Sequence, residues 1–351
     1  MSARHAARPS SMRRRGVLVA LLVAAVVVVG GVVVALEHRS ASPGASAVTT
    51  TVAPTTTTTV PLAPLTGLPD PTGWAQHHPA LTVKIENTPE ALPQWGLDQA
   101  DVVYEEIVNG GITRLAAVFN SHAPAKIGPI RSVRPTDAQI VDPLGGIFAF
   151  SGGAPYALAA IAASPVDQVQ EATAGSAMYR DPTRVAPHNL FGVGSALFAF
   201  HGAPVPPRPL FSYRRASAAV GGAPAASVVV PFPSIYPVTW TWDPVHQGWD
   251  RTLFGQPVVT GTGVRVAPAN VLVMWVTYVN GVGTFTSYAN LQGSGPVALF
   301  TRGREVLGTW THASPRAAIV YRTRTGSTLA LTPGQTWVEL LNAGASLQVR
   351  K

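Results

Sequence analysis

The chain has 351 residues, 46% hydrophobic and 12% charged, with no cysteine. That length and apolar content support a sizeable folded core and exclude a wholly disordered chain, while the missing cysteine excludes disulfides, a thiol nucleophile, thiolate metal ligands and a lipidated cysteine. Six of the 25 basic residues and one of the 17 acidic residues lie in the first 39, so the rest carries 19 against 16, a net +3 in place of the formal +8, too even for the basic patch that a nucleic-acid binder keeps in its folded part.

Residues 1–16 are a basic tail ending in Arg13, Arg14 and Arg15. Residues 17–36 are apolar or glycine throughout, the ~20 residues that cross a bilayer. The arginines before them hold the N-terminus in the cytoplasm and send the rest outward, predicting a single-pass protein of the cell membrane whose bulk is extracytoplasmic. The alternative is a cleaved signal peptide with Ala45-Ser46-Ala47 as its cleavage site. A signal core is only about 7–15 residues, and Glu37, His38 and Arg39 follow this run as a stop, which favours the anchor. Residues 37–64 are a Thr/Pro/Ser/Ala-rich linker including Thr55 to Thr59. Nothing periodic occurs there, so it reads as an extended stalk.

The folded part begins near Leu65. Residues 81–86 alternate, with Leu81, Val83 and Ile85 on one face and Lys84 and Glu86 on the other, as in a strand. Residues 102–108 read as a second strand, whose period of two sends Glu105 and Glu106 to opposite faces. Residues 114–119 are a third, joined through Asn109-Gly110-Gly111, a hairpin turn. Pro135 suits the first position of a helix reaching about Val141, with Asp137 in its first turn. Residues 147–151 form a strand, then Gly152-Gly153 lead into a helix over 155–163; a short helix covers 194–201. The order predicts an α+β domain over 65–205, a layered mixed sheet with helices. Residues 204–224 are a loop rich in Pro, Gly, Ala and Arg. From 225 to 351 the pattern is strand only, with strands expected at 228–230, 238–242, 270–279, 297–301, 306–311, 317–321 and 337–340.

Several polar words in this stretch resemble the YerB-like family of bacterial envelope proteins, a domain of unknown function with N- and C-terminal parts. They are the segments at 64–69, Ile85-Glu86-Asn87, 96–105, Gly110 to Arg114, Ile127 to Pro135, Tyr179-Arg180-Asp181 and Ala186 to Leu190, followed by Gly308-Thr309-Trp310 and residues 331–337. The resemblance implies a layered α+β N-terminal part and a β-rich C-terminal part. Its members are often lipoproteins; this chain has an apolar run in place of the lipid cysteine. The family's usual Ile-Asp-Asn stands here with Glu86, one methylene longer. The resemblance carries no catalytic residue with it.

The same words hold the candidate ligand-binding residues Lys84, Glu86, Asp101, Glu105, Arg114, Arg131, Arg134, Arg180, Asp181, His188 and Asn189. Arg131 and Arg134 flank a helix start, where guanidinium forks and free N–H groups suit an anion such as a phosphate, a carboxylate or an acidic sugar. The competing reading pairs both with internal carboxylates such as Asp101 or Glu105; Arg114, Arg180 and Asp181 carry the same two readings. His188 is the candidate for proton transfer because histidine titrates near neutral pH. That role needs a carboxylate to orient the ring, with Glu86 and Glu106 available; the alternative is a structural loop histidine. No His-x-x-x-His, zinc or acidic calcium pattern occurs, so neither metal nor cofactor is expected. Ser132 and Ser151 lie at turns outside any Gly-x-Ser-x-Gly. Trp240, Trp242 and Trp249 either stack on sugar rings or pack a β core. The sequence therefore predicts a membrane-anchored ligand-binding or accessory protein of the cell envelope, the alternatives being an envelope glycan hydrolase or transferase using His188 and a protein-interaction scaffold.

Overall fold

A computed structural model describes residues 60–233 and 237–351. The basic tail, the membrane anchor expected at 17–36 and most of the linker lie outside the described residues. Among the described residues no helix is long and apolar enough to cross a membrane.

Among the described residues nineteen strands follow one another. The N-terminal part contributes β1 (Leu81–Glu86), β2 (Val102–Ile107), β3 (Thr113–Phe119), β4 (Ile147–Phe150), β5 (Asp167–Gln170), β6 (Met178–Arg180) and β7 (Leu190–Gly192). The C-terminal part contributes β8 (Ala223–Pro224), β9 (Ser227–Pro231), β10 (Pro237–Asp243), β11 (Gly248–Leu253), β12 (Gln256–Pro257) and β13 (Asn270–Val279). It continues with β14 (Tyr288–Asn290), β15 (Gly293–Thr301), β16 (Arg304–His312), β17 (Val320–Thr323), β18 (Thr336–Asn342) and β19 (Gln348–Arg350). The α-helices among the described residues are short: α1 (Pro135–Val141), α2 (Pro155–Ile161) and α3 (Gly194–Phe198).

The protein is thus rich in strand and poor in helix, with a mixed sheet. This is sparser in helix than the expected α+β layering, because the helical stretches at 155–163 and 194–201 end early, at Ile161 and Phe198. The strand expected at 317–321 is shifted to β17.

The central sheet has twelve strands in the order β17-β16-β15-β13-β18-β2-β3-β1-β4-β5, with β14 and β8 paired at its side. The join lies where β18 runs parallel to both β13 and β2, placing Glu339 beside Glu105. Strands from 65–205 and from 225–351 therefore share one sheet. A five-stranded sheet, β12-β11-β10-β9-β19, packs on one face, with Trp240 against Trp337 and Trp249 against Phe300. On the opposite face α1 and α2 enclose Val133, Val141, Phe148 and Phe150. Every residue of β1, β2 and β3 is buried. Lys84 and Glu86, the polar side of an alternating strand, are therefore as enclosed as Val83 and Ile85, and each must find a partner inside. Trp240 and Trp249 are fully buried core residues, which removes them as sugar platforms.

Candidate functional site

The register of three strands places the charges. Glu86 of β1 and Glu106 of β2 both lie opposite Arg114 of β3, giving a carboxylate–guanidinium–carboxylate row on one face. Lys84, two residues before Glu86, shares that face. Its ammonium bonds to Glu106 and, at 2.8 Å, to Asp137 Oδ1. The other Asp137 oxygen accepts the Arg134 backbone N–H at 2.7 Å, so the helix start is capped by its own carboxylate. That carboxylate occupies the Arg134 N–H at the helix start, where the sequence expected an anion. Burial, opposed by Lys84 and reinforced by Glu106, pushes the Asp137 carboxyl up to about 6.

Arg114 donates to the Ser132 carbonyl at 3.0 Å. Its burial, together with the charges of Arg134 and Arg131, pulls it down to about 9. Two neighbouring guanidiniums therefore add to burial in disfavouring the Arg114 charge. Arg134 bonds its own chain at Val133 and donates 2.7 Å to Asn109 Oδ1. It meets neither Asp101 nor Glu105.

A strap over residues 127–134 crosses the ends of β1 and β4. Arg131 donates its N–H to the Lys84 carbonyl at 2.9 Å and accepts from Ser151 N–H at 3.0 Å, and Ile130 N–H reaches the Leu190 carbonyl at 2.7 Å. Those bonds bring the 181–189 loop against the strap and place three side chains together. Glu86, 1% exposed, lies 3.2 Å from Arg131 Nε and 3.0 Å from His188 Nδ1. Thr88 Oγ1 also donates to it at 3.3 Å. Arg131 and His188 remain 21% and 23% exposed. One buried carboxylate thus pairs with a guanidinium by charge alone, without a hydrogen bond at Nε, and with an imidazole through Nδ1. Among the described residues, neither Nε2 of His188 nor the terminal nitrogens of Arg131 have a protein partner.

The remaining candidates do other work. Arg180 pairs with Glu171 at 2.8 Å and donates to Asn189 Oδ1 at 2.8 Å. Asn189 donates to the Asp181 carbonyl at 3.3 Å. Asp181 accepts from Lys126 at 2.6 Å and from Thr183; the Lys126 hydrogen bond, then those from Thr183, hold its carboxyl far below the usual range. These three residues shape the loop that presents His188.

Asp101 lies just before β2, whereas Glu106 is at its far end. Because β1 and β2 are both antiparallel to β3, Asp101 stands at the opposite end of the sheet from Glu86. It accepts the N–H groups of Asn120 and Ser121. Glu105, on the other face of β2, accepts from Arg251 at 2.7 Å, Thr113 at 2.7 Å, Asn87 at 3.0 Å and Trp337 at 3.2 Å. It belongs to a sealed cluster with Arg251 and Glu339, all three 0% exposed. Burial and the adjacent Glu105 charge push Glu339 well above the usual carboxylate range.

Glu106, Asp137, Arg251 and Glu339 are the partners missing from the candidate set. The available signal was a lone charge within an apolar strand, as in Trp337-Val338-Glu339-Leu340. Among the described residues, no group of three or more His, Asp or Glu is arranged to hold a metal ion.

The family described as protein of unknown function DUF3048 matches this chain in both its parts, the N-terminal domain over residues 65–202 and the C-terminal domain over 228–338. YerB of Bacillus subtilis (strain 168), whose name describes it as a candidate lipoprotein, is 34% identical over 130 residues, 37% of this chain and 39% of that protein. That sequence match thus spans well under half of the relative's length. The crystal structure of the YerB protein from Bacillus subtilis superposes with a TM-score of 0.73 at 24% identity, covering 83% of this chain and 99% of that one, a likeness of fold. The chain belongs to the YerB-like family.

Proposed function

We propose that this protein is an extracytoplasmic, membrane-tethered accessory protein of the cell envelope that binds an anionic ligand at Arg131 and His188. The observation that carries the reading is the Glu86 clamp. Glu86 lies at Nε of Arg131 and Nδ1 of His188, and the outer nitrogens of both partly exposed side chains have no protein partner among the described residues. A guanidinium edge matches a carboxylate or phosphate in a bidentate manner. Lys84, Arg114, Arg131 and Arg134 outnumber Glu86, Glu106 and Asp137 by one charge, so the site is electropositive. A bound anion offsets that charge.

The tether is the 17–36 run, flanked by three arginines on its N-terminal side; it takes the place of the lipid anchor that the name of the Bacillus relative implies. Calorimetric titration of the full chain in detergent with inorganic phosphate, glycerol phosphate and glucuronate tests the binding. Saturable heat with at least one probe, lost in Arg131→Ala, supports the reading; no heat with any of the three contradicts it.

A second reading rests on His188 itself. Its Nδ1 is held by a carboxylate and its Nε2 is free, the arrangement of a general base. As an envelope glycan hydrolase or transferase, the protein would lose turnover in His188→Ala while keeping its fold. Turnover that survives this substitution rules that reading out.

A further inference from the structure

The ladder between β13 and β15 stops at Met274 opposite Val297. The next residue on β15 is Pro296, which has no N–H to donate to a ladder. Beyond this point β13 turns to pair with β14, and β15 pairs only with β16. The strands fork, and the fork opens into a groove of about 520 Å³, within the ~300–1,000 Å³ of small-molecule sites.

The fork is built and held. The Trp275 carbonyl at its apex accepts the Trp310 indole N–H at 3.0 Å. Trp275 is itself fixed by its own indole N–H, which donates 2.7 Å to the Ala345 carbonyl. Gly295 lies so close to both that a Cβ would stand 2.7 Å from the Trp275 carbonyl oxygen and 2.7 Å from Trp310 Nε1. Trp275 is half-buried, a rigid indole at the groove wall.

The lining contains no ionisable side chain. Its polar atoms are neutral: Asn290 Nδ2, Gln292 Oε1, Thr277 Oγ1 and Ser294 Oγ, none with a protein partner among the described residues. A fixed indole beside unpaired amide and hydroxyl groups, without charge, is the chemistry that takes the apolar face and the hydroxyls of a sugar ring. We propose that this groove is a subsite for an uncharged oligosaccharide segment. It is separate from the Arg131 site, which is charged and selects an anion.

The test is titration of the full chain in a polyoxyethylene detergent, whose headgroup carries no sugar, with chitotetraose and with maltotetraose, followed by calorimetry and tryptophan fluorescence. The expected result is saturable binding of at least one of them, weakened at least about tenfold in Trp275→Ala and unchanged in Arg131→Ala. Ser294 is exposed at the rim, so Ser294→Trp fills the groove without entering the core, and it decides the matter if Trp275→Ala does not fold. Failure of both tetrasaccharides to saturate overturns the proposal. So does wild-type affinity in Ser294→Trp, or self-association of the chain that buries Trp275 in place of sugar binding. Loss of phosphate binding with sugar binding intact leaves this groove standing and removes only the Arg131 site.

Discussion

The two faces of β2 present the same residue type, a buried glutamate, in opposite circumstances. Glu105 faces the five-stranded sheet and meets Arg251, Trp337, Thr113 and Asn87, all enclosed. Glu106 faces α1 and meets Lys84, which also serves Asp137. From there the charges continue along the strand ends to Arg114, Glu86, Arg131 and His188, where they reach solvent. The first cluster is closed upon itself; the second leads outward. Burial of charge by itself therefore does not mark a site in this fold. What marks it is a buried group whose partners keep unpaired atoms on the accessible side.

That contrast predicts effects of different size. The largest belongs to the closed face: Arg251→Met leaves Glu105 uncompensated in the interior and is expected to cost ~3–5 kcal/mol in denaturant unfolding. A loss below about 1 kcal/mol would contradict the pairing of Arg251 with Glu105 as a structural requirement. Glu339→Gln sharpens the point. Burial and the adjacent Glu105 charge raise the Glu339 carboxyl, so the amide, which does not ionise in the unfolded chain, should match wild type in denaturant unfolding near pH 4 and exceed it at pH 7. A raised carboxyl contributes stability that is full below its unfolded value and lost as pH rises from there through its folded value; this variant should therefore lack that decline, and a parallel decline in both proteins would contradict the account.

Asp137 gives the intermediate effect and a pH signature on the open face. Its folded value is about 6 against an ordinary 3.8. Its contribution is therefore complete below about pH 4 and disappears as pH rises through 6. Melting Asp137→Asn beside wild type should show their stability difference shrinking between pH 4.5 and 7. A difference that stays constant over this range would show that Lys84 holds Asp137 ionised. The smallest effect on stability is expected at His188, which is partly exposed: His188→Ala should change unfolding by no more than ~0.5–1 kcal/mol while weakening anion binding. A larger loss would make the ring a structural strut.

How much of this was legible in the sequence follows from the reach of each interaction. The alternation of residues 102–108 separated Glu105 from Glu106, and the structure sends them to different faces. Asn109-Gly110-Gly111 marked the hairpin, and Pro135 marked the start of α1. The Glu86–His188 pair was available as a possibility because both residues sat in polar words. The closed cluster was not. Glu105 meets Arg251 and Glu339 only because β18 inserts parallel between β2 and β13 and a second sheet lies above it. No local period encodes that pairing. Asp101 stands apart from the Glu86 cluster for a related reason: it shares a polar word with Glu105, yet the strand between them carries it to the other end of the sheet.

The most direct test of the central claim is thermal unfolding of the full chain, wild type and Arg131→Ala, with and without inorganic phosphate, glycerol phosphate or glucuronate. A ligand at ~100 times its dissociation constant adds about 2.7 kcal/mol. The account predicts a rise in melting temperature for wild type with at least one of these anions and none for a folded Arg131→Ala. An equal rise in both proteins, or no rise in either, would contradict an anion site held open by Glu86.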